Sequence, residues 1–258
     1  MIQLTKALRR EIADLARPKG RRTSHAFMAE GTKCVLDTLG AFSMRYLIAT
    51  PEWLAAHKLP ATIDSDKIIE AGRGVIGEMS SMSQAPDAIA VYDLPDEPQF
   101  RPEELAGLTV ALDRVQDPGN LGTIMRTADW MGIDTILASD DTVDCFNPKT
   151  VQATMGAISR VKVIYGDLPA MLERLAARMP VCGTFLGGEN VYTADLPECA
   201  VVVMGNEGSG ISDEVSRTVN RRLLIPSWPP ERPTSESLNV ATATAIVLSQ
   251  FRSRLFKK

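Results

Sequence analysis

Hydrophobic positions along the chain follow two rhythms. Over residues 2–16, Ile2, Leu8, Ile12 and Leu15 recur at roughly helical spacing, which predicts an amphipathic helix. Pro18-Lys19-Gly20 is expected to end it. From 25 to 92, short apolar runs alternate with helical stretches. Ala26–Met28, Tyr46–Ala49 and Ala88–Tyr92 read as strands, and Thr32–Leu39 reads as a helix stopped by Gly40. Pro51 opens a short helix containing Trp53 and Leu54. These features predict a small α/β domain over 23–92, preceded by a basic helix over 1–22.

Residues 93–107, DLPDEPQFRPEELAG, read as a linker, because proline-rich charged chain buries little apolar surface. A second domain is expected over 108–258. Leu108–Leu112 reads as a strand, followed by a helix from about Asn120 to Met131. Further strands are expected at Thr135–Ala138, Val161–Tyr165, Val181–Leu186, Ala200–Met204 and Arg222–Ile225. Helices are expected between them, including Leu168–Met179 and Ser237–Phe251. Strands alternating with helices predict a parallel sheet covered on both faces.

Composition narrows the classes. The 258 residues are 45% hydrophobic and 23% charged, which excludes a disordered or collagen-like chain. Four cysteines, Cys34, Cys145, Cys182 and Cys199, form no CxxC pair, so reduced thiols in the cytoplasm are expected. His25 and His57 are too few for a histidine-rich metal site, and no GxSxG elbow exists. The N-terminus lacks the apolar core of a signal peptide, and no run of 18 apolar residues predicts a membrane span. A net charge of −4 speaks against a protein that coats nucleic acid. That charge is uneven, however. Residues 1–22 carry Lys6, Arg9, Arg10, Arg17, Lys19, Arg21 and Arg22 against Glu11 and Asp14. The last eight residues carry Arg252, Arg254, Lys257 and Lys258 and no acid.

Three stretches offer chemistry. In Asp113–Gly132 a strand leads through Pro-Gly to a helix with Asn120 as the expected N-cap. Leu121, Ile124, Met125 and Ala128 form its apolar stripe, and Arg126 lies about 200° from both Ile124 and Ala128, pointing away from that core. In Val201–Ser212 an apolar strand runs into Gly205, Gly208 and Gly210, which enclose Glu207. Glycine there permits close backbone approach to a ligand. In Leu224–Ser249 a Pro-rich loop precedes a nearly all-apolar helix, with Ser237 as its cap and Asn239 in its first turn.

Together these stretches resemble the three sequence motifs of the SpoU/TrmH branch of the SPOUT methyltransferases. The residues that carry the likeness are Asn120-Leu121-Gly122 with Arg126-Thr127-Ala128, then Gly205-Asn206-Glu207-Gly208, then Ile225-Pro226 with Ser237-Leu238-Asn239-Val240. Asn147-Pro148-Lys149 and Gly156-Ala157 agree further. More loosely, Phe27-Met28-Ala29-Glu30-Gly31 resembles the RNA-binding domain that often precedes the catalytic one in this family.

The resemblance implies transfer of a methyl group from S-adenosylmethionine to a ribose 2′-hydroxyl in structured RNA, ribosomal RNA before transfer RNA. It implies a C-terminal domain with a deep trefoil knot, and a cytoplasmic homodimer whose sites are completed across the interface. Cofactor contacts are expected from Thr184, Leu186, Gly187, Met204, Gly205, Asn206, Gly208, Ile225, Pro226 and Leu238. Arg126 is expected to grip an RNA phosphate and stabilise developing alkoxide, since a guanidinium stays protonated. Asn120, Ser237 and Asn239 are expected to orient the ribose. Glu207 is expected to hold Asn120 or Arg126, or to balance the sulfonium charge. No metal is implied. Between Pro226 and Ser237 the segment SWPPERPTSE is longer than the family's usual connection and lies beside the expected cofactor entrance. A non-catalytic RNA-binding chain would keep the fold without this chemistry. A nucleotide-dependent oxidoreductase would need the glycine fingerprint after its first strand, which is missing here.

Overall fold

The computed structural model describes residues 3–229, 235, 237–253 and 255. Most of the 227–236 loop singled out above, with Ile2, Arg254, Lys257 and Lys258, therefore lies outside the described residues. In chain order the first elements are α1 (Lys6–Asp14), α2 (Pro18–Ser24), β1 (Ala26–Glu30), α3 (Thr32–Thr38), β2 (Met44–Ala49) and α4 (Pro51–Ala56). β3 (Ile68–Glu70), α5 (Arg73–Gly77) and β4 (Ala88–Asp93) follow. Next come β5 (Leu108–Leu112), α6 (Pro118–Trp130), β6 (Thr135–Ser139), α7 (Pro148–Thr154), β7 (Lys162–Gly166) and α8 (Leu168–Ala176). β8 (Val181–Asn190), β9 (Ala200–Met204), α9 (Asp213–Thr218), β10 (Arg221–Leu224) and α10 (Val240–Ser253) complete the set. The chain divides into two compact units, Met1–Asp96 with Asp144–Ser159, and Glu97–Val143 with Arg160–Lys258.

The first unit holds a four-stranded sheet ordered β1-β4-β2-β3. β4 runs antiparallel to β1 and β2, while β2 and β3 are parallel. Ile12 and Leu15 are buried against Met28, Ile48, Ile69 and Ile89, so the N-terminal helix is part of this core. Burying such side chains contributes about 2 kcal/mol each. α1 ends at Asp14, ahead of Pro18 as expected, but Pro18 also opens a new helix. Pro18 is the first residue of α2, where a missing N–H costs nothing. Arg21 is only 1% exposed and donates to Asp144 Oδ2 (2.9 and 2.6 Å) and to the Leu15 carbonyl (2.9 Å). Phe146 packs on Phe27, with ring centroids 4.7 Å apart. These contacts explain why Asp144–Ser159 belongs to the first unit and interrupts the continuous domain expected over 108–258.

The second unit holds a six-stranded parallel sheet ordered β10-β8-β9-β5-β6-β7. Its centre is apolar throughout: Val110, Ala111, Leu137, Val201 and Val203 are buried, as a sheet covered on both faces requires. Part of the expected linker packs on that core through Phe100 and Leu105, and Arg174 sits over the Phe100 ring at 5.0 Å. One strand departs from regular pairing. β8 pairs with β10 through Cys182 and Gly183, then again through Glu189 and Asn190. It pairs with β9 only through Val181–Gly183. Residues 184–188 therefore leave both ladders as an excursion. Gly188, at φ +155°, makes the return possible, because a Cβ there would meet the Arg222 carbonyl at 2.5 Å. Among the described residues, no helix is long and apolar enough to cross a membrane.

Replacing Arg21 by Met should lower the unfolding free energy by about 2 kcal/mol in urea denaturation. The cost is below that of a sealed ion pair, because the Asp144 side chain is 42% exposed and can rehydrate. Thiol chemistry gives a second check. Burial pushes Cys34 up to about 12 and Cys182 up to about 11, from an ordinary 9.0. Unfolded thiols ionise first, so these residues should contribute to a fall in Tm as pH rises above 9.0. At neutral pH a thiol reagent should label Cys199, the exposed cysteine, and spare Cys34, Cys145 and Cys182 until the chain unfolds.

Candidate active site

The three stretches with chemical promise all belong to the second unit, at the carboxyl ends of β5, β9 and β10. Parallel α/β sheets bind ligands along this edge. β5 ends at Leu112, and the following turn leads into α6. Asp117, not Asn120, caps that helix: its Oδ1 accepts the Asn120 N–H at 2.8 Å, and Pro118 occupies the first helical position. Asn120 stands in the first turn with its side chain free for other partners. α10 begins at Val240 instead of Ser237, and Asn239 is its cap. Asn239 Oδ1 accepts from the amides of Ala241 (3.0 Å) and Thr242 (3.2 Å). Ser237 lies before the helix, exposed, and makes no hydrogen bond among the described residues.

One chain of hydrogen bonds joins the three stretches. Asn239 Nδ2 donates to Asn120 Oδ1 at 2.8 Å, and Asn120 Nδ2 donates to Glu207 Oε1 at 2.6 Å. The polarity of this chain is forced. Helix amides can only donate and a carboxylate can only accept, so each asparagine amide has a single workable orientation. The bond to Glu207 is charge-assisted and accordingly short. Each Nδ2 keeps a second N–H, and Asn120 Oδ1 a second lone pair, for a substrate hydroxyl. Glu207 therefore holds Asn120, one of the roles open to it, and is not bonded to Arg126.

Arg126 lies six residues beyond Asn120 on α6, about 9 Å along the axis. Leu121, Ile124, Met125 and Ala128 are buried, as their spacing predicts, while Arg126 is exposed. It forms no hydrogen bond or ion pair among the described residues.

The expected cofactor residues fall into three groups. Leu186, 83% exposed, and Gly187 lie in the excursion from β8, whose backbone groups are released from the sheet ladders. Thr184 begins that excursion, with its hydroxyl 3.4 Å from the Val203 carbonyl. Ile225 and Pro226, both half-buried, follow β10, and Leu238, 46% exposed, precedes α10. Met204 is buried and its carbonyl accepts from Asp113. Gly205 is required by its own loop, since a Cβ there would sit 2.3 Å from Gly210 and Ile211. Gly208 is exposed, and its N–H is spent on Asn206 Oδ1 at 2.9 Å.

Two residues that sequence reasoning overlooked organise these loops. Asp113 is 2% exposed and accepts the Ser212 N–H at 2.6 Å. Arg114 adopts a left-handed φ of +58°. Asp113 carried a signal, a lone acid closing an apolar strand. Arg114 carried none.

Comparison with known proteins finds similar chains of known family. The 23S rRNA (guanosine(2553)-2′-O)-methyltransferase RlmP of Bacillus subtilis is 29% identical over 98% of this chain and all of its own length. A solved structure from Porphyromonas gingivalis, assigned to the TrmH family of RNA methyltransferases, is 38% identical. It superposes with a TM-score of 0.86 over 98% of this chain and 100% of its own. The AdoMet-bound rRNA methyltransferase from Sinorhizobium meliloti is 30% identical, with a TM-score of 0.81 over 99% and 97% of the two chains. Residues 107–249 match the model of the SpoU rRNA Methylase family, and they contain all three stretches of the site. The chain belongs to the SpoU rRNA methylase family.

Proposed function

We propose that this protein transfers a methyl group from S-adenosylmethionine to a ribose 2′-hydroxyl of ribosomal RNA, in the cytoplasm. The observation that carries the reading is the one-way chain from the α10 N-terminus through Asn239 and Asn120 to Glu207. It presents unspent amide donors and an acceptor at one place, as the positioning of a hydroxyl oxygen requires. The names and folds of the relatives favour ribosomal over transfer RNA. The trefoil knot belongs to the same reading, through the likeness of fold.

The loops suit this cofactor. Residues 184–188 offer main-chain groups outside both ladders, and a Cβ at Gly187 would meet nothing within 4 Å. Leu186, Ile225 and Leu238 are apolar and at least partly open, as walls for an adenine should be. When bound, the cofactor supplies the electrophilic methyl group. The chain's own residues do the rest. Asn239 and Asn120 hold the ribose hydroxyl, with their amides locked by Glu207 and the helix. Arg126 grips the adjoining phosphate and stabilises negative charge as the 2′-oxygen releases its proton to solvent water. Arg126 points away from its own core, which fits a homodimer in which it reaches the site of the second copy.

The basic N-terminus is the RNA footprint in this reading, and fewer than its seven cations are free to serve it. Arg9 pairs with Glu78 at 2.8 Å, Arg17 with Asp14 at 3.6 Å, and Arg21 is buried. Lys33 pairs with Asp37 at 2.7 Å. Lys6, Arg10, Lys19 and Arg22 are exposed and unpaired among the described residues, as is Lys149. We assign the N-terminal part of the footprint to the first four.

Mapping 2′-O-methyl groups by mass spectrometry in RNA from a deletion strain tests the substrate. Loss of one methyl group in ribosomal RNA supports the reading, whereas a loss confined to transfer RNA, or no loss, overturns it. Arg126→Ala should lower methyl transfer by 100-fold or more while leaving S-adenosylmethionine affinity within about threefold. Full activity in the folded variant would remove Arg126 from the mechanism. Exchanging Lys6, Arg10, Lys19 and Arg22 for Gln should flatten the log–log salt dependence of RNA binding by about 3, roughly one phosphate contact per cation. The same exchange at Arg17 should change the slope by much less.

A further inference from the structure

The chemistry of the site depends on Glu207 meeting Asn120, so whatever fixes Glu207 acts on the reaction. Its neighbour Asn206 has its side chain committed inside the protein. Asn206 Nδ2 donates to the Arg114 carbonyl at 2.8 Å, and Oδ1 accepts from Gly208 N (2.9 Å), Ser209 N (3.1 Å) and Ser209 Oγ (3.3 Å). The main chains of Asn206 and Gly210 exchange bonds of 3.0 and 2.9 Å. With three donors already on Oδ1, no acceptor capacity is left there for a cofactor. The Asn206 side chain therefore clamps its own loop to the turn after β5.

That turn is built to receive it. Arg114 holds φ at +58°, a conformation that non-glycine residues adopt rarely and mostly where the surroundings impose it. Its N–H donates to Ser139 Oγ at 2.9 Å, and its carbonyl faces Asn206. The guanidinium does not explain the strain. Its Nε is buried without a hydrogen-bond partner and lies 3.4 Å from the Asp113 carboxylate. What the left-handed conformation supplies is the direction of the peptide carbonyl.

We propose that Asn206 and the left-handed peptide of Arg114 form a positioning device, not a cofactor contact. By clamping residues 206–210 to the turn after β5, they aim Glu207 at Asn120 and so set the orientation of the Asn120 amide. The role in turnover rests on the methyltransferase reading given above. The geometric part does not depend on it.

Four variants test the device: Asn206→Asp, Arg114→Val, Arg114→Gly and the double variant Asn206→Asp with Arg114→Val. Asp at 206 keeps an acceptor for Gly208 and Ser209 but turns an oxygen toward the Arg114 carbonyl. Val resists a positive φ, and Gly enters it freely. Asn206→Asp and Arg114→Val should each lower kcat at least tenfold at saturating substrates, with the Kd for S-adenosylmethionine within about threefold of the parent. The double variant should be no slower than the slower single one, since both break the same link. Arg114→Gly should recover most of kcat, although its Tm falls with the loss of the charge beside Asp113. A loss of cofactor affinity with kcat unchanged would make Asn206 a ligand contact and overturn the proposal. Unaltered kcat in folded Asn206→Asp would also overturn it.

The side-chain amide resonances of Asn120 read the same device without turnover. In the parent one proton should be shifted by its charged partner, and in Asn206→Asp and Arg114→Val it should return to the position of a free amide. Shifts unchanged in both variants would overturn the proposal. If the resonances collapse but the parent methylates no RNA, the positioning device stands and the assigned activity fails.

Discussion

Asn120 can satisfy two partners in only one way, and the site is arranged around that fact. Its amide meets a carboxylate on one side and a second amide on the other. A carboxylate needs a donor, so Nδ2 must face Glu207 and Oδ1 must face Asn239. Asn239 is equally constrained, because its oxygen serves the free amides of a helix end. Three segments far apart in sequence thus hold one another in a defined polarity. None of the three groups is sealed from water, so the gain is in orientation more than in stability. Orientation is the scarcer commodity for a reaction that must line up a hydroxyl with a methyl group.

The alternation of strands and helices was legible because a parallel sheet needs continuous apolar runs. Leu108–Leu112 and Ala200–Met204 match their predicted strands residue for residue. The two misplaced helix caps share a cause, which is choice between equivalent local signals. Asp117 and Asn120 are both good helix caps, as are Ser237 and Asn239, and propensity alone does not separate them. Pro118 could have decided the first pair, since proline favours the position just after the cap. Tertiary pairing decided the second. β8 reads as one apolar strand, yet its register against β10 breaks after Gly183. Pairing partners, not composition, release residues 184–188. The grouping of Asp144–Ser159 with the first unit depends on a buried arginine and an aromatic contact, which leave no periodic trace.

Charge is the property that sequence misrepresents most. Seven basic residues precede position 23, but three of them neutralise acids within the first unit. Arg21 is the extreme case, a cation withdrawn from solvent to join two segments of one core. A net charge of −4 over the whole chain is consistent with this economy. An enzyme that must release its product gains little from a uniformly basic surface, because each phosphate contact strengthens binding to substrate and product alike. In the proposed footprint, a few cations that are unpaired among the described residues would provide attachment without retention.

The same logic governs the loops around the site. A side chain that binds a cofactor must also be held in one rotamer, at an entropic cost. Main-chain groups in a loop already fixed by its own hydrogen bonds avoid that cost. Gly205 allows the 205–211 loop to close on itself, and Gly188 allows the excursion from β8 to rejoin the sheet. Side chains in these loops are then free for internal work, as Asn206 is. The residues most diagnostic of a shared motif need not be those that touch a ligand. An asparagine followed by a glutamate reads as a pair of contacts in the sequence. In three dimensions the first is spent on building the loop, so that the second can reach Asn120.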